Sequence, residues 1–156
     1  TMKTKITTYV PPLSDETSEK FINYIMEGGK KTIARTIFND MLGEIEKRGH
    51  KEPRELFFRA IENTKPAMEV RPKRIGGAVY QVPFEVNPKR QRMLSFRWLI
   101  DGARKRKGMP MFKRLTLEIL EASDGNGGAV KKKDDVERMA QANRAFAHYA
   151  RFTKKK

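Results

Sequence analysis

The side chains in this sequence best equipped for chemistry are its arginines and lysines, and the chemistry they suit is the binding of phosphate. Arg90, Arg97 and Arg104 recur at intervals of seven residues, which places them along one side of a helix. Lys105, Arg106 and Lys107 continue that row, and Asp101 is the lone acid between Pro88 and Lys107. A guanidinium forks onto two phosphate oxygens, whereas lysine suffices for solubility. Arg92 adds a further guanidinium near the start of the same stretch. Arg71, Lys73 and Arg74 form a second group just before Gly76-Gly77, with Tyr80 and Gln81 following. Cations, side-chain-free backbone, an aromatic face and an amide together suit RNA phosphates and unstacked bases. The plain alternative is a solvated edge strand whose charges prevent aggregation. Residues 71–114 carry 13 Lys and Arg against two acids, Glu85 and Asp101, so most of the net charge lies there.

Gly28-Gly29-Lys30-Lys31, with Arg35 one turn later, sets amides and cations at the start of a helix, where the dipole also favours an anion. A nucleotide-binding P-loop would need glycine where Tyr24 stands and Ser or Thr where Lys31 stands. A third group, Lys131-Lys132-Lys133, is expected to open the last helix, where lysines oppose the dipole and an external anion explains them better than local stability. Arg138, Arg144, His148 and Arg151 continue along it. No catalytic constellation accompanies these cations. The two histidines, His50 and His148, are far apart, neither has a nucleophile beside it in sequence, and no cluster has metal-ligand spacing. The expectation is therefore no catalytic residue, no metal and no cofactor.

The formal charge of +15, from 34 Lys and Arg against 19 Asp and Glu, opposes compaction and calls for a polyanionic partner whose condensed counterions are released on binding. An acidic membrane offers the same attraction, but no apolar run is long enough to span one and none resembles a secretory signal. The chain has no cysteine, which excludes disulfides and thiolate metal sites. With 156 residues it suits one domain with a sizeable core. Because Thr1 stands ahead of Met2, it is expected to begin inside a longer precursor.

The elements that must hold the cations follow from periodicity. Residues 1–13, ending in Pro11-Pro12, read as an extended basic arm whose Lys3 and Lys5 can lie along phosphates. A helix capped by Ser14 or Asp15 runs through Phe21, Ile22, Ile25 and Met26 to Gly28. A second spans Lys31 to Lys47 on the stripe Ile33, Ala34, Ile37, Phe38, Met41, Leu42, Ile45. A third, opened by Pro53, carries Leu56, Phe57, Ala60 and Ile61. Alternation then replaces helical spacing: residues 69–86, turning at Gly76-Gly77, predict a β-hairpin. Pro72 and Pro83 make both strands edges of a two-stranded ribbon, expected to project from the body with residues 76–84 removable. Asn87 caps and Pro88 opens a fourth helix to about Lys107, packed on two sides. The fifth runs from Met111 to Ser123. Residues 124–128 read as a flexible loop without core side chains, and the sixth helix begins near Lys133 and continues past Phe146. Residues 14–149 thus form a mainly α, six-helix body with a projecting hairpin between helices three and four, followed by a basic tail over 150–156.

Five ordered blocks carry a resemblance: Gly29-Lys30-Lys31; RPKRIGGAVYQVPFEV from Arg71 to Val86; Arg97-Trp98-Leu99-Ile100; Gly128-Ala129-Val130-Lys131-Lys132-Lys133; and MAQANRAFAHY from Met139 to Tyr149. In order and spacing, from about Ser18 to Tyr149, the chain resembles the universal seventh protein family of the small ribosomal subunit, in its bacterial and organellar branch. The resemblance implies a protein of a bacterial or organellar ribosome that binds the 3′ major domain of small-subunit rRNA early and lets the head assemble. It implies rRNA contacts at Lys30, Lys31, Arg35, Arg71, Lys73, Arg74, Arg90, Arg92, Arg97, Lys131 and Arg144, to which the residue pattern adds Arg104 and Lys132. It further implies a ribbon, with Gly76, Gly77, Tyr80 and Gln81, beside the tRNA exit site and mRNA exit path. The eleventh small-subunit protein and other head proteins are the expected neighbours. The family's arginine-rich opening arm and Tyr-Arg-Trp ending are replaced here by lysines and threonines and by Tyr149-Ala150-Arg151-Phe152.

Two other classes compete on sequence alone. A DNA-bending architectural protein also joins a basic helical body to a β-ribbon, but clamps a duplex as a dimer. An RNA-modifying enzyme would need the constellation that is missing.

Overall fold

A computed structural model describes residues 10, 11 and 13–153, with side chains described up to Ala150. Lys3, Lys5 and most of the arm, the side chain of Phe152 and the closing lysines lie outside the described residues. The order is α1 (Glu16–Ile25), α2 (Lys31–Lys47), α3 (Pro53–Thr64), β1 (Met68–Ile75), β2 (Ala78–Glu85), α4 (Pro88–Lys105), α5 (Met111–Ser123), α6 (Gly128–Ala142) and a 3-10 helix over Arg144–Thr153. Six α-helices and one hairpin are thus the expected architecture.

The capping residues act as their types dictate. The Asp15 carboxylate accepts from the Ser18 amide at 2.8 Å, and the Asn87 side chain accepts from the Arg90 amide at 2.8 Å. The core is one cluster in which Phe21, Phe38, Phe57 and Phe96 are buried. Phe21 meets Phe57 and Phe96 edge-on at 4.9 and 5.2 Å between ring centroids, the geometry the ring quadrupoles favour. Helix α4 touches α1, α3, α5 and α6, which is why apolar residues appear on more than one of its sides. A polar link, Thr64 to Ser95 at 2.6 Å between hydroxyls, joins α3 to α4 within the buried interior.

The sixth helix departs from expectation at both ends. It starts at Gly128, not Lys133, because Ala129 and Val130 are buried in the core, so the residues between the expected loop and Lys133 anchor α6. It ends at Ala142, and the chain then tightens into the 3-10 turn that folds back over β2. There Phe146 and Tyr149 each lie 5.2 Å from the Tyr80 ring, and Lys73 donates to the Tyr149 carbonyl at 2.8 Å.

The hairpin pairs antiparallel from Met68 with Glu85 to Ile75 with Ala78. Its turn is Gly76-Gly77, both at positive φ (56° and 82°), the two-residue turn that matches strand twist and requires left-handed backbone. The expectation of a ribbon largely free of the body needs correction at its base. Val82 and Pro83 are buried, with Val86, Leu94 and Ala140 also covered nearby in the chain fold, and both strands contact α6. The removable part is therefore the tip. Joining Lys73 to Tyr80 by a two-residue turn, deleting 74–79, should lower the melting temperature by no more than about 4 °C, because those residues are mostly exposed. A deletion extended to Phe84 should cost several times more. Thermal unfolding followed by circular dichroism checks both.

Candidate nucleic-acid interface

Helix α4 is the spine of the cationic surface. A cleft of about 700 Å³ beside its middle and end is lined by Arg97, Trp98, Arg104, Lys105, Arg106 and Lys132 among others. A second, of about 570 Å³, is lined by Lys30, Arg104 and Arg114 with apolar residues of α1 and α2. Arg104 borders both, so the sequence-distant groups at Lys30, Arg97 and Lys132 meet around one helix. Arg90 and Arg92 line a third cleft at the opposite end of α4. Lys131 is exposed on α6 but borders none of these clefts. Arg144 lies apart, in a groove between α6 and the ribbon base with Ala67, Pro83 and Glu137.

Not every arginine is equally available to an external anion. Arg35 is held by Glu19 through two hydrogen bonds of 2.6 and 2.7 Å. Glu19 is fully buried, and the bond from Arg35 holds its carboxyl below the usual range despite burial. Arg90 and Arg71 both donate to Glu69, at 2.6 and 2.8 Å in their shortest bonds. Burial acts to raise the Glu69 carboxyl, and the two guanidinium groups outweigh it, leaving the group lowered. Arg104 meets Glu27 at 3.2 Å on an open surface, a contact that solvent weakens. Arg97 is exposed and has no ion pair among the described residues, and the same holds for Arg74 on the ribbon.

At the foot of the first of these clefts Arg106 bridges Glu118 at 3.1 Å and Glu121 at 2.8 Å. Burial pushes the Glu118 carboxyl up in spite of Arg106. Its carboxylate lies close to the α4 backbone, where a Cβ on Gly102 would approach it to 2.9 Å, so a side chain at that position would have to displace the Glu118 carboxylate. These acid partners come from other elements, which reading α4 alone could not supply. A signal was available: Glu19 and Glu118 occupy positions on otherwise apolar helical stripes, beside Ile22 and between Leu115 and Ala122, where a carboxylate must find a cation.

On the ribbon, pleating divides the expected residues. Arg71 and Lys73 share a face, with Tyr80 opposite Lys73, while Arg74 and Gln81 belong to the other. Tyr80 is half-buried against Phe146 and Tyr149, so its ring is already partly occupied, whereas Gly76, Gly77 and Gln81 are exposed. His148 is exposed, packed 4.0 Å from the Tyr149 ring and 3.1 Å from the Ala145 carbonyl. Among the described residues no helix is long and apolar enough to cross a membrane.

Comparison with known sequences decides which cationic protein this is. A sequence model described as ribosomal protein S7p/S5e matches residues 2–144. The chain belongs to that family. It is 49% identical over 139 residues to the small ribosomal subunit protein uS7 of Methylibium petroleiphilum, covering 89% of each chain. It is 53% identical over 129 residues to that of Thermus thermophilus, covering 83% of each. The Thermotoga maritima protein is 49% identical over 139 residues, covering 89% of this chain and 90% of its own. The expected resemblance thus holds, and the chain is a small-subunit ribosomal protein of the bacterial type.

Proposed function

We propose that the protein binds the 3′ major domain of small-subunit rRNA and nucleates assembly of the subunit head, without catalysing a reaction. The observation that carries this reading is the convergence of Lys30, Arg97, Arg104 and Lys132 on adjoining clefts around α4. Such a surface tracks a folded phosphate backbone, since cations spread over several elements follow the shape of an RNA better than a single row would. In this reading residues 14–149 are the binding body, with the arm over 1–13 and the tail over 150–156 as basic extensions. Lys31, Arg74, Arg92, Lys131 and Arg144 add phosphate contacts. Arg35, Arg71 and Arg90 chiefly hold Glu19 and Glu69, and reach RNA with their remaining donors. The exposed ribbon tip, Gly76 to Gln81, extends toward the tRNA exit site and mRNA exit path, and the eleventh small-subunit protein and other head proteins are its neighbours.

Arg97→Gln tests the assignment. It should weaken binding to a transcript of that rRNA domain about tenfold and reduce the salt dependence by about one phosphate. Its melting temperature should stay within about 2 °C, because the side chain is exposed. A sharp fall in melting temperature with unchanged binding of the folded fraction would make Arg97 structural and remove it from the interface.

A further inference from the structure

At the N-terminal end of α4 lies a cleft of about 380 Å³ that Arg90 and Arg92 of the cationic surface share with residues outside it. Tyr24, Met93 and Phe96 give it an apolar side, and Lys20, Lys89 and Arg92 supply its charge. The volume falls in the range of about 300–1,000 Å³ typical of clefts that hold a small ligand. Tyr24 is 39% exposed although its ring leans edge-on against the buried Phe96, 5.5 Å between centroids. A part-exposed aromatic ring that lines an open cleft can serve as a stacking platform.

The charge there is not balanced from within. A helix N-terminus favours acids, yet the first turn of α4 contains none and carries Lys89 and Arg90. Arg90 is turned to Glu69, and Lys20 is paired with Glu16 at 2.7 Å. Lys89 and Arg92 have no ion pair among the described residues, though the field of Arg92 contributes to holding the Glu16 carboxyl low, after the hydrogen bond and charge of Lys20. Two cations at the positive end of a helix dipole, next to an open aromatic ring, fit one occupant best: a group with a planar face and a phosphate.

We infer that this cleft holds a single unstacked nucleotide of the bound RNA, its base against Tyr24 and Met93 and its phosphate at Lys89 and Arg92. The inference rests on the rRNA-binding reading above and adds to it a subsite for one base. Stacking is indifferent to salt and phosphate contact is not, so the two halves of the site separate experimentally.

The test uses the full chain and a transcript of the 3′ major domain of small-subunit rRNA, with affinities measured from low to moderate salt. Tyr24→Ala should weaken binding about 5- to 100-fold with an unchanged salt slope, and Tyr24→Phe should bind as the parent does. Lys89→Gln and Arg92→Gln should each lower the slope by about one phosphate. Ultraviolet irradiation of the parent complex should join Tyr24 to one nucleotide, which remains readable if Tyr24→Ala does not fold. Parent-like binding by all of these variants, with no cross-link at Tyr24, overturns the inference while leaving the wider reading intact. A protein partner in the cleft would give that same result. Failure of the unaltered protein to bind the transcript overturns the wider reading instead.

Discussion

Arg35→Gln is expected to lower folding stability by roughly 2–4 kcal/mol at neutral pH, the largest effect of any single arginine replacement at the interface. Both oxygens of the Glu19 carboxylate accept from Arg35, at 2.6 and 2.7 Å, and Glu19 is fully buried. Removing the guanidinium leaves a carboxylate beside the α1 core residues with the Ser14 hydroxyl, at 2.8 Å, as its remaining side-chain donor among the described residues. Loss of one partner of a buried pair costs about 3–5 kcal/mol. The lower figure applies because the Arg35 side chain is 32% exposed, so water can reach the gap. The pH dependence has a definite sign. The folded Glu19 carboxyl is lowered, so its contribution is present above the unfolded carboxylate value of about 4.3 and is lost as pH falls through the folded value. The deficit of the variant should therefore shrink in acid. Adding Glu19→Gln to Arg35→Gln should recover part of the loss at neutral pH, as a double-mutant cycle would register. Chemical denaturation at pH 7 and below pH 4 measures both. A variant as stable as the parent that binds RNA more weakly would return Arg35 to the RNA interface.

The contrast between Arg35 and Arg97 also marks how far the sequence can be read. Both are arginines on helices within basic clusters, and composition treats them alike. What separates them is a carboxylate 16 positions away, Glu19, brought by the packing of α1 on α2. Helix α2, the ribbon turn and α4 are readable because their signals are local: a continuous apolar stripe, two adjacent glycines, and Asn87-Pro88. The start of α6 is not. Gly125 to Gly128 reads as a loop on propensity, and only the burial of Ala129 and Val130 against the other helices extends the helix back to Gly128. Its end was missed for the complementary reason. Met139, Ala140, Phe146 and Ala147 keep near-helical spacing, yet Phe146 and Tyr149 pack on Tyr80 of the ribbon, a non-local contact that periodicity does not encode.

The interface was readable as a set of residue types more than as a geometry. Arg90, Arg97 and Arg104 were expected on one helical side, and α4 does run unbroken from Pro88 to Lys105. Their different surroundings, an ion pair to Glu69 at one end, no ion pair among the described residues at the middle and one to Glu27 at the other, come from tertiary structure. Lys20, Tyr24 and Lys89 carry no binding signal of their own in the sequence, since none of them lies on the seven-residue row of arginines. The fold sets them around one cleft with Arg92.

The salt dependence of RNA binding is expected to be the largest effect of all, because it sums over the whole cationic surface. With at least about six phosphates neutralised, log affinity falls by about 0.7–0.9 per phosphate for each unit of log salt. Raising monovalent salt from about 50 to 200 mM should then weaken binding to the 3′ major domain transcript roughly a thousandfold. On the proposed reading, the clefts joined at Arg104, with Lys30, Lys132 and Arg97 around them, are the physical source of that slope. Filter binding of the full chain to this transcript across that salt range tests the central claim most directly. A slope of roughly 4 to 5 is the predicted result; tight binding that changes less than about tenfold would contradict a phosphate-tracking interface.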